Sequence, residues 1–435
     1  MSTLAIAGYI MVIVFMYLIM SKRLSAFTAL VLVPVACALI LGFPSKTIGA
    51  WMIAGVRQTA PTAAMLLFAI TYFGIMINVG LFDPIVTRIL RIVKGDPMKV
   101  IVGTSLMAAF VSLDGDGSTT YMIVVTAMIP LYRRLGINPI ILPSVIIMQN
   151  AIMNVIPWGG PTGRVLAALK VESADVFNPL VPGMVVATIW VLAFCYYLGR
   201  KERARLGVTH MDDAAIESMI VNIAAGEENL RRPKLFWVNV LLTAIMIAGL
   251  YFQWLPLSMM FMVGACIALV INYPNLKDQQ ERIAAHAPNA LSVAGMVFAA
   301  GVFLGIMSGS KMVDAIAKTL IDAIPASMGP HMALFTAFVS LPFTFFLSND
   351  AFYFGIVPIL AKTAAQYGIS TVEIARASLM GQPFHQLSPL VAATYVLVGY
   401  AGVNFGDLQR YVFFPMIISS MIFIAVALVL GIIPL

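Results

Sequence analysis

Apolar residues come in runs close to twenty long from one end of the chain to the other, separated by short polar punctuation. A run of that length crosses a bilayer as a helix, so the pattern predicts an all-α polytopic membrane protein. One stretch breaks the rhythm. Residues 200–234 carry Arg200, Lys201, Arg203 and Arg205 at one end and Arg231, Arg232 and Lys234 at the other, with Asp212, Asp213, Glu217, Glu227 and Glu228 between. It reads as a hydrophilic linker joining two membrane halves, residues 1–199 and 235–435.

The halves repeat each other. Phe73-Gly74-Ile75-Met76 leads to Asp83 as Leu304-Gly305-Ile306-Met307 leads to Asp314, at equal spacing. Gly136-Ile137-Asn138 precedes Pro157 and Thr162 as Gly368-Ile369-Ser370 precedes Pro389 and Thr394. Ala109-Phe110-Val111-Ser112-Leu113 recurs as residues 337–341. Each half predicts two plain helices (Leu4–Met20 and Leu24–Phe43; Leu235–Tyr251 and Leu255–Tyr273), then a third (Thr59–Leu81; Asn289–Ser310) and a short amphipathic piece (Pro84–Lys94; Lys311–Ile324). Two apolar arms around a polar tip follow, then a helix interrupted in its middle, then a last plain helix (Leu180–Leu198; Tyr411–Ile433).

The arms Met98–Leu113 and Gly117–Leu131 are short, roughly 24 Å of helix against a hydrocarbon core of about 30 Å. Their outer ends carry Lys94, Lys99, Arg133 and Arg134, which fits a re-entrant hairpin entering and leaving on one face. The counterpart runs from His331 to Lys362. Five crossings per half is an odd number, so the second half is expected to be inverted relative to the first. Placing both termini outside puts most of the Lys and Arg, the linker's included, on the cytoplasmic side. The N-terminal run, with no charge before Lys22 and no small-residue cleavage pattern, reads as a first transmembrane helix rather than a removable signal.

Composition agrees with the pattern and removes alternatives. Hydrophobic residues make up 61% and charged residues 10% of the 435, against about 25% charged in soluble domains. A soluble enzyme, a nucleic-acid binder and a disulfide scaffold are excluded on that ground. The net charge of +7 follows from loop cations rather than a nucleic-acid surface. Cys37, Cys195 and Cys266 each lie inside an apolar run without metal-like spacing and read as free core thiols.

Irregular backbone at membrane depth is tolerated only where protein buries it or it lines a cavity. Four such places are predicted: the tip from Ser112 to Thr120, the break from Asn150 to Gly163, the tip Ser348-Asn349-Asp350, and the break from Gly381 to Pro389. They hold the candidate substrate-binding residues Asp114, Asp116, Gly117, Ser118, Thr119, Asn154, Gly159, Gly160, Thr162, Arg164, Ser348, Asn349, Asp350, Gln382 and His385. Intramembrane carboxylates are costly and default to function, so Asp114, Asp116 and Asp350 are candidates for proton coupling or for facing a cation. Capping of the return helices is their structural alternative. Asp114-x-Asp116-Gly117 resembles the start of an EF-hand loop, but Val125 stands where its bidentate Glu is required. His385, between two prolines, titrates in the physiological range when solvated and is a coupling candidate; a hydrogen-bonded structural histidine is the alternative. His210, His286 and His331 fall in loops or at helix ends and carry little weight. Arg164 is placed to grip a carboxylate or to snorkel.

The strings at these tips and breaks resemble the citrate–divalent metal:proton symporter family. They are Phe73-Gly74-Ile75-Met76 through Asp83-Pro84, Lys94-Gly95-Asp96-Pro97, Leu113-Asp114-Gly115-Asp116-Gly117, Asn154 with Pro157-Trp158-Gly159-Gly160, Ser348-Asn349-Asp350-Ala351-Phe352, Gly381-Gln382-Pro383 with His385, and Leu387-Ser388-Pro389. The resemblance covers nearly the whole chain. It implies symport of protons with citrate chelated to a divalent ion of the Mg²⁺ or Ca²⁺ class, by a homodimer working elevator-fashion in a bacterial-type inner membrane. No permanently bound cofactor is implied; the divalent cation is part of the substrate, with Asp116 and Asp350 completing its coordination. The rivals are a sodium-coupled di- or tricarboxylate carrier and a cation/proton antiporter on the same scaffold, with an intramembrane aspartyl protease or a passive channel further off.

Overall fold

The computed structural model describes residues 2–21, 23–93, 95–115, 117–208, 228–252, 254–323 and 327–435. Among these there is no strand. The first half forms α1 (Thr3–Met20), α2 (Ala26–Ile40), α3 (Ser45–Asn78), α4 (Asp83–Val93), α5 (Pro97–Val111), α6 (Gly117–Leu135), α7 (Ile141–Met153), α8 (Gly160–Leu169) and α9 (Ser173–Leu206). The second forms α10 (Phe236–Tyr251), α11 (Leu257–Asn272), α12 (Leu276–Gly309), α13 (Met312–Ala323), α14 (Met332–Phe346), α15 (Val357–Ala365), α16 (Thr371–Leu379), α17 (Gln382–His385), α18 (Ala392–Ala401) and α19 (Phe405–Val429). The expected series therefore appears twice, α17 being a single extra turn inside the second break. Six helical stretches among the described residues are long and apolar enough to cross a membrane.

Local chemistry sets the boundaries. Ser25, Asp96, Asn275, Ser370 and Asn404 cap helices by accepting backbone N–H groups, and Ser370 forms a capping box with Glu373. The α5–α6 hairpin closes on itself: Thr104 and Tyr132 hydroxyls meet at 3.1 Å and Ser112 and Thr120 at 3.3 Å, an antiparallel register. In the second hairpin a wide π turn, Ala351–Ile356, separates the tip from α15. Pro358, in the first turn of α15, has no N–H to return to the carbonyl of Phe354, which breaks the ordinary helical register at this point.

The third helices depart from expectation. The sequence pattern starts them at Thr59 and Asn289, but α3 and α12 begin at Ser45 and Leu276 and are both 34 residues long. They run through Pro61 and Pro288, and the polar residues that looked like loop occupy the N-terminal turns. His286 therefore lies inside a helix rather than at its end. Similarly α9 continues through Arg200, Lys201, Arg203 and Arg205 to Leu206, where Glu202 accepts the N–H of Asn138 at 3.1 Å. Cys195 is buried and Cys37 half-buried, but Cys266 is exposed, so it is not a core thiol: its apolar run faces outward at that position. Lys22, Lys94, Asp116 and linker residues 209–227, His210 among them, lie outside the described residues.

Two layers result. α3 and α12 pack antiparallel along their length, with α2 against α12 and α11 against α3. The hairpins, the broken helices, α9 and α19 form the second layer, which meets α3 and α12 through α8, the first hairpin tip and the π turn of the second hairpin. The α3–α12 crossing is close because glycine lines it. Gly301 and Gly305 of α12, a small-xxx-small pair, face Gly55 of α3, and a Cβ on Gly301 would come within 2.8 Å of the Gly55 carbonyl oxygen. By contrast a Cβ on Gly49 meets nothing within 4 Å. Gly301→Leu is therefore expected to cost about 1–3 kcal/mol or more by overpacking. Gly49→Ala is expected to be neutral or to gain up to about 1 kcal/mol. Thermal unfolding of the detergent-purified variants checks this; a Gly301→Leu protein melting with the native one would remove the tight crossing.

Candidate functional site

The freed backbone at each interruption is recaptured by side chains, and this sets the geometry of the site. At the first break, Thr162 Oγ1 donates to the carbonyl of Val155 at 2.8 Å and Trp158 Nε1 to that of Leu113 at 2.8 Å. The second bond ties the break to the first hairpin tip. Gly115 makes it possible: its φ is 79°, and a Cβ there would press on the Trp158 ring at 2.8 Å. Asn150 donates to Ser112 Oγ at 3.0 Å and accepts from the Tyr121 hydroxyl at 3.1 Å. At the second break, Gln382 Nε2 donates to Asn349 Oδ1 at 3.0 Å and to the Tyr353 hydroxyl at 2.8 Å. His385 Nδ1 pairs with the carbonyl of Thr344, and Thr394 Oγ1 donates to that of Gln386 at 3.0 Å.

One ion pair joins the two halves through these interruptions. Arg164, just past the first break, donates from Nε to Asp350 Oδ1 at 2.7 Å and from Nη1 to the carbonyl of Gly160 at 2.9 Å. Both side chains are largely buried, 17% and 11% exposed, so the pair is shielded from water. Arg164 thus grips a carboxylate, but one belonging to the protein.

Beside this pair, reached by Arg164, lies a cavity of about 510 Å³ between the layers, inside the range of about 300–1,000 Å³ usual for small-molecule sites. Asp114, Gly117, Ser118, Thr119, Asn154, Gly160, Arg164, Asn349 and His385 line it. Of the remaining candidates, Gly159, Thr162, Ser348, Asp350 and Gln382 are not among the residues that line it. Gly159 sits at the N-cap of α8, and Ser348 Oγ accepts the N–H of Ala351 at 3.2 Å. Asp116 lies outside the described residues. The N-terminal ends of α6 (Gly117-Ser118-Thr119), α8 (Gly160-Pro161) and α18 (Val391, Ala393) all reach the cavity. Helix N-termini carry partial positive charge, which suits an anion. Among the described residues lining the cavity, Arg164 is the only Arg or Lys.

Four further polar residues line it: Asn78 from α3 and His286, Asn289 and Ser292 from α12, with His286 Nε2 at 2.8 Å from Asn78 Oδ1. Only His286 falls outside the expected helix Asn289–Ser310; Asn289 and Ser292 lie inside it and Asn78 inside Thr59–Leu81, where isolated polar residues do not show from sequence which face they occupy. Continuing the helical period back through Pro288 puts 286, 289 and 293 on one face and is the signal that finds His286. Gln386 also joins, accepting from the Tyr121 hydroxyl at 3.3 Å. Among the described residues no group of three His, Cys, Asp or Glu is placed to hold a metal ion.

A duplicated helical architecture with paired hairpins and broken helices around a polar cavity defines a multi-pass membrane transporter. Its fold is similar to that of Neisseria gonorrhoeae MtrF (TM-score 0.59, 12% identity, 88% of this chain and 83% of that one). It is also similar to the YdaH transporter of Alcanivorax borkumensis (TM-score 0.56, 13% identity, 88% and 87%). Residues 15–381 match the citrate transporter family profile. A citrate transporter of Bacillus subtilis (strain 168) is 55% identical over 430 residues, 99% of each chain. A Mg²⁺/citrate complex secondary transporter of the same organism is 49% identical over 428 residues, 98% of each chain. The chain belongs to the citrate transporter family.

Removing one member of the Arg164–Asp350 pair strands a buried charge, at a cost of about 3–5 kcal/mol. Asp350→Ala is therefore expected to melt well below the native protein, and Arg164→Leu/Asp350→Leu to recover much of the loss. Equal melting temperatures for the single and double variants would deny the pair its role between the halves.

Proposed function

We propose that the protein takes up citrate as its complex with a divalent cation of the Mg²⁺ or Ca²⁺ class, in symport with protons. One observation carries the reading. The cavity offers three helix N-termini to an anion, yet Arg164, the only Arg or Lys among the described residues lining it, is already paired with Asp350. Bare citrate carries about three negative charges at neutral pH, and desolvating them against so little fixed positive charge is prohibitive. Chelation removes most of that charge before entry, and the remainder matches helix termini and amide and hydroxyl dipoles. Asp114 and Asp116, at the tip of the first hairpin, are the groups we assign to proton coupling and to the metal side of the complex; protons bound together with the complex offset their charge on the inward passage and are released with it on the cytoplasmic side, before the empty site returns. Asp350 is reserved by Arg164 in this conformation, and its release from that pair belongs to the cycle. His385, on the cavity wall, is a second coupling group. The close relative that transports a Mg²⁺/citrate complex supports the choice of substrate.

The cavity is lined by the C-terminal half of α3 and the N-terminal half of α12, the halves nearest the linker. With the linker cytoplasmic and both termini outside, as the cation distribution favours, this is an inward-facing state. The layer of hairpins and broken helices moves elevator-fashion against the α3–α12 layer of a homodimer in a bacterial cytoplasmic membrane. Purified protein in liposomes tests the reading. Uptake of labelled citrate is expected to require Mg²⁺ or Ca²⁺, to fall to background with chelator or protonophore, and to be indifferent to exchange of Na⁺ for K⁺. Asp114→Asn and Asp116→Asn are each expected to reduce it at least about tenfold, the scale on which a buried charge contact works. Uptake that persists in chelator, or that follows Na⁺, would replace the proposal with a sodium-coupled carboxylate carrier.

A further inference from the structure

The α3–α12 crossing joins symmetry-related partners that differ at one telling place. The ends of α12 lie 231 positions beyond those of α3 (276 against 45, 309 against 78). The same shift turns Gly74 into Gly305, Gly55 into His286 and Asn78 into Gly309. The contact of Gly55 with Gly305 at one end of the crossing therefore has His286 against Gly74 as its image at the other. At the first end backbone lies on backbone: a Cβ on Gly55 would stand 2.9 Å from the Gly305 Cα. Gly309, next along, is covered by the ring of Trp51. At the second end an imidazole fills the space. A Cβ on Gly74 would come within 2.5 Å of His286 Nδ1 and 2.6 Å of its Cε1, so the ring rests directly on the α3 backbone. Its Nε2 is held by Asn78 Oδ1 at 2.8 Å, and with the amide oxygen as acceptor this nitrogen carries the proton. Ring and amide both face the cavity, and Asn289 and Ser292 continue the same polar wall along α12.

We propose that His286, fixed by Asn78, is a specificity-determining positioning residue. It holds the linker-side ends of α3 and α12 apart by the width of a ring, where glycine seals the opposite end. That spacing sets how far the α3–α12 wall stands from a substrate seated at Asp114, Ser118, Thr119 and the helix N-termini. Metal–oxygen distances are about 2.0–2.1 Å for Mg²⁺ and about 2.3–2.6 Å for Ca²⁺, so their citrate complexes differ in size and shape. A wall at fixed spacing discriminates between them, and His286 with Asn78 tunes that choice. The inference rests on the metal–citrate reading of this site.

The test is uptake of labelled citrate by proteoliposomes with Mg²⁺ or with Ca²⁺, comparing native protein with His286→Ala, His286→Gln, Asn78→Ala and the His286→Ala/Asn78→Ala double variant. His286→Ala is expected to raise KM for the native protein's preferred complex about tenfold and to change the Mg²⁺-to-Ca²⁺ ratio of KM at least about threefold, with kcat within about twofold. Asn78→Ala shifts the ratio in the same direction, and the double variant does no more than His286→Ala, because the two act as one unit. His286→Gln keeps bulk and a donor and returns KM to within about threefold of native. Should His286→Ala fail to fold, Asn78→Ala and His286→Gln carry the same expectations. An unchanged metal ratio in the folded variants, or a loss confined to kcat, overturns the role of His286 and leaves the proposed function standing. Failure of the native protein to take up citrate with either metal overturns both.

Discussion

A helix may be interrupted inside a bilayer only if each backbone group it releases finds a partner away from lipid, and this structure is organised around meeting that demand four times. Thr162 and Trp158 answer it at the first break and tip, and His385, Thr394 and Ser348 at the second, while Asn150 and Gln382 tie side chains of break and tip together. Because these bonds run between interruptions as well as within them, each break is held in place by the neighbouring tip. The polar cavity is the space left where the recaptured segments meet the α3–α12 layer.

Charge follows the same economy. A guanidinium and a carboxylate stranded separately at this depth would be untenable, and the structure brings them together across the two halves as Arg164 and Asp350. What remains for a substrate is the weaker and more diffuse attraction of helix N-termini, hydroxyls and amides, with Asp114 beside them. On the proposed reading, such a site suits an anion that arrives with its charge already reduced.

Duplication supplies the frame, and small departures from it supply direction. α3 and α12 are equal in length and related by a constant shift, so a strictly symmetric pair would be alike at both ends. Gly55, Gly301 and Gly305 close one end; His286 and Asn78 occupy the other. An inverted repeat with this asymmetry has a sealed side and an accessible side, and the accessible side is the one nearest the linker.

The order of elements, the duplication and the four interruptions are legible in the sequence, because hydrophobic length, proline and glycine position and repeated strings are local properties. So are the residues of the tips and breaks, since polar groups in apolar runs stand out one by one. Three things are not local. The N-terminal turns of α3 and α12 carry charges and prolines that look like loop until a neighbouring helix is there to pack them, which hid His286. Whether a tip residue faces the cavity or supports its wall depends on the rotation of its helix: Asn349 lines the space while Ser348 caps a backbone N–H. The pairing of Arg164 with Asp350 spans 186 positions. The sequence by itself determined that polar groups must sit at mid-membrane in two related sets. Only the tertiary structure decided which of them neutralise one another and which are left for a ligand, because that depends on distances no periodicity records.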